Sequence, residues 1–365
     1  MFYPTGIIPS SRSWLAARPA LLRTAIGLLL VVLLALALAG GWLYWACYPG
    51  WLAEQPARAM IQSHQGQTIC KRIAPRWLRR LAGPFAWVFE RADRVSLAQA
   101  RLAVGDAALL TSHSRLQMLN LRGALLFDED LVHLARLTRL TALDLPDTSV
   151  TDAGLGHLAP LANLAHLDLT DTAVTDDGLK PLSRLKGLRD LQLYGTRVTG
   201  PGLAHLASLP NLRNLALGST PITGPGLEHL VRVPTLRMLS LSGSAISNEG
   251  LANLANLSQL DILDLSETAV SDAGLVHLAG LTGLTELGLS DTQVVGPGLS
   301  HLLHLPKLRA LRLANMCAGT RQTAPAAPLV ALTHLRSVDL EGSKIAAEDL
   351  ENLKKARPDL SVIDP

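Results

Sequence analysis

Apolar positions return every 24 residues, without slippage, from Leu116 to Lys307. From Leu140 the chain reads LTALDLPDTSVTDAGLGHLAPLAN, then LAHLDLTDTAVTDDGLKPLSRLKG, then LRDLQLYGTRVTGPGLAHLASLPN. The shared form is L-x-x-L-x-L-x-x-T-x-V-T-x-x-G-L-x-x-L-x-x-L, and eight such units fill residues 116–307. Longer units open at Leu308 and Leu335, and a half unit, 360–365, ends the sequence. Within one unit Leu167 and Leu169, following Leu164, bring the period of two that a short strand needs. Leu179, Leu182 and Leu185 sit three apart, as on a buried helical stripe.

One strand and one short helix cannot bury their apolar faces alone, so the units must stack. Strands then add side by side at ~4.8 Å, whereas helices sit ~8–10 Å apart. That mismatch bends the stack. The expected fold is α/β, a curved solenoid with parallel strands on the concave side and short helices on the convex side.

Two polar columns accompany the leucines. Position nine is Thr148, Thr172, Thr196, Thr220, Ser244, Thr268 and Thr292. A buried hydroxyl both donates and accepts, so this column is expected to satisfy backbone groups at the turn after each strand. Position thirteen is Asp152, Asp176, Gly200, Gly224, Asn248, Asp272 and Gly296, with Pro201, Pro225 and Pro297 following the glycines. These types suit a helix N-cap followed by a first-turn proline, so the acids are read as capping and not catalytic.

The units so far described look like leucine-rich repeats. The L-x-x-L-x-L core with its G-L-x-x-L-x-x-L outer half resembles the helix-backed kind typified by ribonuclease inhibitor. Most of all it resembles the threonine-rich bacterial form repeating T-D-x-G-L, as in Thr151–Leu155, Thr175–Leu179 and Ser271–Leu275. The resemblance covers roughly residues 92–365 and implies protein or ligand binding with no shared catalytic residues. The ladder residue is Thr where that family often carries Asn or Cys, and the unit is shorter than in ribonuclease inhibitor itself.

The first ninety residues differ. Residues 25–48 carry no charge, enough to cross a bilayer, which needs about 20 residues. Arg12, Arg18 and Arg23 precede the run without an acid, which puts segment 1–24 in the cytoplasm. Trp42, Tyr44, Trp45, Tyr48 and Trp51 crowd its far end as an interfacial belt would. An uncleaved transmembrane signal-anchor helix is therefore expected over 25–48. Ala37-Leu38-Ala39 keeps a cleaved signal peptide open as the competing reading. Both readings place the repeats outside the cytoplasm, in the periplasm or at the cell surface. Residues 49–91 are then a juxtamembrane segment and N-terminal cap, which the first repeat needs to cover its core. The solenoid spans 92–365, with a degenerate first repeat at 92–115 (Val95 and Leu97 at strand positions) and longer repeats at 308–359.

Charge splits along the same line. The net +3 hides ten Lys/Arg against two Asp/Glu in residues 1–91, leaving 23 against 28 for the rest. The array itself is mildly acidic, which argues against nucleic acid as a partner, since phosphate binding needs clustered Lys and Arg. Cys47, Cys70 and Cys317 are scattered. At ~4.8 Å per strand, the last two lie about 40 Å apart, so no intramolecular disulfide is expected.

No phosphate-cradling G-x-x-x-x-G-K-[ST], nucleophile elbow G-x-S-x-G or zinc-protease H-E-x-x-H occurs. His133, His157, His205, His229, His277 and His301 share one repeat position. Ligands to one zinc sit ~2 Å from it while successive helices lie ~8–10 Å apart, so neither metal nor cofactor is expected.

The side chains flanking the strand leucines point to the concave face. Across the second to fourth full repeats they gather Asp144, Asp147, His166, Asp168, Asp171, Asp190, Gln192 and Tyr194, with Asn214 alongside. Like carboxylates ~5 Å apart repel unless a cation, water or basic partner screens them. The candidate site is a docking patch on these residues for a basic protein segment or a glycan; a solvated acidic face that keeps the array soluble is the competing account. A passive envelope spacer without a ligand and an enzyme with an unrecognised site remain further alternatives, the latter requiring a deep pocket with a perturbed titratable pair. Ala314–Pro328 lengthens its repeat and is a second candidate contact.

Overall fold

A computed structural model describes residues 52–72, 90–103, 105–317 and 325–364. The expected transmembrane run at 25–48 and the middle of the Ala314–Pro328 insertion lie outside the described residues. Among those described, no helix is long and apolar enough to cross a membrane. The repeats belong to one compact unit, Pro56–Cys70 with Ala92–Pro365. Of the other, Met1–Gln55 with Lys71–Arg91, only residues 52–55, 71, 72, 90 and 91 are described.

Thirteen strands form one sheet in strict chain order. They are β1 (Gln67–Arg72), β2 (Glu90–Ser96), β3 (Met118–Asn120), β4 (Ala142–Asp144), β5 (His166–Asp168), β6 (Asp190–Gln192) and β7 (Asn214–Ala216). The rest are β8 (Met238–Ser240), β9 (Ile262–Asp264), β10 (Glu286–Gly288), β11 (Ala310–Arg312), β12 (Ser337–Asp339) and β13 (Ser361–Ile363). From β2 onward every neighbouring pair is parallel, with the repeat period as the register: Leu119, Leu143, Leu167 and Leu191 stand side by side. Parallel neighbours need a crossover of a dozen residues or more, and the return path of each repeat supplies it. The curved leucine-rich-repeat solenoid is the observed architecture.

The leucines make one continuous core. Leu167, Leu169, Val174, Leu179, Leu182 and Leu185 of a single repeat are all fully buried. Removing such a side chain costs roughly 2–5 kcal/mol. At the N-terminal end, residues 56–63 are helical, and Met60 and Ile61 extend this core to Val95 and Leu97. In the degenerate first repeat His113 fills the slot that leucines occupy in later repeats, and it is fully buried.

The expected short outer helices are of two kinds, and Asp128–Leu134 and Asp176–Leu182 are α-helical. Asp152–Leu155 makes one α turn and continues as a 3₁₀ turn, Gly156–Leu158. Pro201–Ser208, Asp272–Gly280 and Pro297–His304 are 3₁₀ throughout. Leucines three apart form a straight stripe at three residues per turn, so the 3₁₀ geometry buries them as the α-helix of Asp176–Leu182 does.

The hydroxyl column behaves as expected. Thr148, Thr172, Thr196, Thr220, Thr268 and Thr292 each donate to the carbonyl three residues back, at 2.6–2.7 Å. Met316 breaks the column, and Ser343 of the following repeat replaces the missing hydroxyl. Its Oγ donates to Leu313 O at 2.7 Å and accepts from Met316 N at 3.0 Å.

The acids at position thirteen are not caps, which corrects the expectation. The N-caps are Thr151 and Thr175, whose hydroxyls accept from the N–H groups of Ala153 and Asp177. Asp152 lies one residue inside its helix and reaches forward to the next repeat. There it accepts the Thr175 N–H at 2.8 Å and the Thr175 hydroxyl at 2.6 Å. Asp128 holds Thr151 in the same way, and Asn248 holds Ser271. Where the next repeat offers glycines, Asp176 and Asp272 accept backbone N–H groups of Gly200 and Gly202, and of Gly296 and Gly298. Burial pushes the Asp176 carboxyl up, but the bonds from Thr199, Gly202 and Gly200 outweigh it and hold it below the usual range.

The glycine of T-D-x-G-L has its explanation here. A Cβ on Gly178 would run into Asp152 Oδ1, and one on Gly154 into Asp128 Oδ1. The glycine leaves room for the carboxylate of the preceding repeat.

Candidate functional site

From β3 to β11 each strand is three residues long, with a buried leucine in the middle and two flanking side chains on the concave face. The register turns these into two rows. One runs Asn120, Asp144, Asp168, Gln192, Ala216; the other runs Met118, Ala142, His166, Asp190, Asn214. The structure therefore brings Asp144, His166, Asp168, Asp190, Gln192 and Asn214 onto adjacent strands β4 to β7.

Most of the row is internally satisfied. Asn120, Asp168, Asp264 and Asp339 each accept the N–H two residues ahead, at 2.9–3.1 Å, forming a turn that ends the strand. Asp144 cannot, because the residue two ahead is Pro146, which has no N–H. Its Oδ1 is shielded from solvent without a hydrogen-bond partner of good geometry. The nearest basic group is His166, whose Nε2 lies 3.3 Å away. At that distance the pair is an ion pair and not a well-aligned hydrogen bond. The contact with Asp144 raises the His166 pKa above its ordinary value; burial works against this, and the charges of Asp144, Asp190 and Asp168 reinforce it.

The neighbours are held too. Asn214 Nδ2 donates to Asp190 Oδ1 in a short contact. Asp147 and Asp171 occupy the turn after β4 and β5 with φ of 57° and 53°, in the left-handed region. They belong to a column, Gln99, Gly123, Asp147, Asp171, Gly195, Ser219, Gly243, Glu267, Asp291, Asn315 and Gly342, all with positive φ. This conformation lets each N–H reach the next repeat, as Asp147 N does to Thr170 O and Asp171 N to Tyr194 O. Asp147 also lies 3.3 Å from Arg122 Nε, an exposed pair. Tyr194 is 41% exposed, and its ring lies against the backbone of Gly218, where a Cβ would meet Cδ2 at 2.7 Å. Past the tyrosine the face turns small and apolar, with Ala216, Gly218, exposed Met238 and half-buried Ile262.

Chemically the arrangement is a negative field with one imidazole inside it and an aromatic ring at its rim. Five carboxylates face an open surface, and His166 and Asp144 keep 35% and 29% of their side chains exposed. Water reaches both, which is not the enclosed setting that acid–base catalysis draws on. Among the described residues no group of three or more His, Cys, Asp or Glu side chains is arranged to hold a metal. The histidine column lies on the return path, partly exposed. Sequence reasoning missed Pro146 and Gly218. Pro146 is visible as the one proline two residues after a row aspartate, and Gly218 as the residue 24 beyond Tyr194.

A family model described as Leucine Rich repeat matches residues 161–183 and 234–255. Internalin C2 of Listeria monocytogenes is 30% identical, over 58% of this chain and 83% of its own, with a TM-score of 0.45. A leucine-rich-repeat protein of Leptospira interrogans is 19% identical, over 70% and 74%, with a TM-score of 0.49. A plant peptide hormone receptor solved in complex with RGF2 is 17% identical, over 70% of this chain and 44% of its own, with a TM-score of 0.43. Among curated proteins nothing matches.

Proposed function

The chain belongs to the leucine-rich-repeat proteins, and we propose that it is a non-enzymatic binding module. Its concave face takes a partner protein segment that brings a basic group to Asp144, Asp168 and Asp190 and an apolar group to Tyr194 and Met238. The observation that carries this is the Asp144 carboxylate. Its row mates Asp168, Asp264 and Asp339 accept turn N–H groups, while Pro146 leaves it on a strand face with only an imidazole nearby. A partner cation completes what the fold leaves open. Tyr194, laid flat over Gly218, offers rigid contact area at small entropic cost, as interface aromatics do.

We further propose that the array is displayed outside the cytoplasm, held by residues 25–48. The support is the charge-free run behind Arg12, Arg18 and Arg23. Alkaline extraction of membranes reads this: the full chain stays in the pellet, and its appearance in the soluble fraction contradicts the anchor.

The binding reading is tested by crosslinking capture with the full chain and a variant carrying Asp144→Lys, Asp168→Lys, Asp190→Lys and Tyr194→Ala. A specific partner is expected on the wild type and absent from the variant. Equal capture by both removes the concave face as the site, and capture by neither favours a passive spacer.

A further inference from the structure

The repeats differ from one another most at 308–359, and a cavity of about 420 Å³ opens there on the edge where the return path re-enters the strands. Its walls include Lys307, Arg309, His334 and Arg336, with Thr333 and Asp359. Elsewhere along this edge, three of the residues that precede an opening leucine tie neighbouring repeats together. Asn163 Nδ2 donates to Thr138 O at 2.8 Å, Asn211 Nδ2 to Lys186 O at 2.9 Å, and Thr235 Oγ1 to Leu212 O at 2.7 Å. Lys307 and His334 hold the same position and make no such tie. The unit between them runs 27 residues from Leu308 to Leu335, against 24 in the regular repeats.

The charge of the cavity is uncompensated. Among the described residues, the side chains of Lys307, Arg309, His334 and Arg336 have neither a hydrogen bond nor an ion pair. The one carboxylate on the wall is already taken: Asp359 Oδ1 and Oδ2 receive Arg357 Nε and Nη2, each at 2.9 Å. Arg357 is itself fixed, donating to Leu332 O and Leu335 O at 2.7 Å each, so Asp359 is held by a buried guanidinium and not by the cations of the wall. Three permanent cations and an imidazole thus face a space as large as those that hold small ligands. Two of the cations are guanidinium forks, whose paired N–H groups match oxyanion geometry.

We propose that this cavity is an oxyanion site, separate from the concave face, that binds a phosphate group, free or as a phosphomonoester. The volume exceeds that of a bare phosphate and leaves room for the group it is attached to.

Calorimetric titration of the full chain with inorganic phosphate, a hexose 6-phosphate and the unphosphorylated hexose tests it. Saturable one-to-one binding of a phosphate probe is expected, with none for the hexose. Tighter binding of the ester identifies phosphomonoesters as the ligand class; equal binding identifies free phosphate. Arg309→Gln with Arg336→Gln should weaken binding at least about tenfold, as loss of charge-assisted hydrogen bonds does. Because both side chains are exposed and unbonded, the thermal midpoint should stay unchanged; Lys307→Ala gives a milder second reading. Arg213→Gln, on the same edge where the groove is closed, should have no effect. Three results overturn the proposal: no saturable binding of either phosphate probe, binding retained in the double variant, or equal loss in Arg213→Gln.

Discussion

Asp152 grips Thr175 across a repeat boundary, one carboxylate oxygen on the backbone N–H and the other on the hydroxyl. This clamp, repeated at Asp128 and Asn248, converts a chain-local motif into an inter-repeat bond. Asp152→Ala leaves the Thr175 N–H without its acceptor and should cost about 1–3 kcal/mol in chemical denaturation. Asp152→Asn, copying Asn248, should cost less than about 1 kcal/mol. Equal losses for the two would mean that the clamp is not what the position provides.

The left-handed column makes a second prediction. Ser219 has φ of 51° where its neighbours in the column, Gly195 and Gly243, are glycines. Ser219→Val should destabilise by roughly 1–3 kcal/mol, since a β-branched side chain is strained there. Ser219→Gly should be nearly neutral, because relief of strain is offset by entropy of the unfolded chain.

His113 makes the array acid-sensitive. Burial, with the nearby charge of Arg58, lowers its pKa to about 4. The unfolded chain therefore takes up this proton first as pH falls from the ordinary 6.5. Stability that is complete above that value is lost down to about 4, by roughly 3 kcal/mol. His113→Leu, restoring the residue that later repeats use, should abolish this part of the acid dependence and raise stability at neutral pH. An unchanged pH profile in the variant would rule the histidine out.

His166 has the opposite sign. Its pKa is raised, chiefly by Asp144, so its pairing stabilises the fold at pH below the ordinary value and this is lost as pH rises through the raised pKa. NMR titration of the ring should show a midpoint above 6.5 that falls in Asp144→Asn. A midpoint unmoved by that change would place the cause elsewhere.

The extent to which the sequence foretells this structure follows from its periodicity. The 24-residue offset alone places Asp144 beside Asp168 and His166 beside Asp190, because in a parallel stack the period is the register. The Thr148 and Thr172 ladder was readable for the same reason. Helix type was not readable, because leucines three apart sit on an α-helix at Asp176–Leu182 and on a 3₁₀ helix at Pro201–Ser208. The forward reach of Asp152 was hidden because a carboxylate at a helix start satisfies capping rules whichever way it points. The left-handed column carried a partial signal in its glycines, Asp147, Asp171, Asp291 and Asn315, which Gln99, Ser219 and Glu267 blur. The basic cavity arises where Leu308–Leu335 breaks the period, and periodic reasoning says nothing about such places.

The central claim is that a partner protein lies on the concave face beside Tyr194. A photo-crosslinking side chain placed at Gln192, between Asp168 and Ala216 on the strand row, reads this in the parent cell, with the same group at Arg184 on the opposite, return-path side as control. The account predicts a discrete protein crosslinked from Gln192, absent from Arg184, and lost when Asp144 and Asp168 are changed to Lys. The same protein crosslinked from Arg184 alone, or equally from both positions, would contradict it.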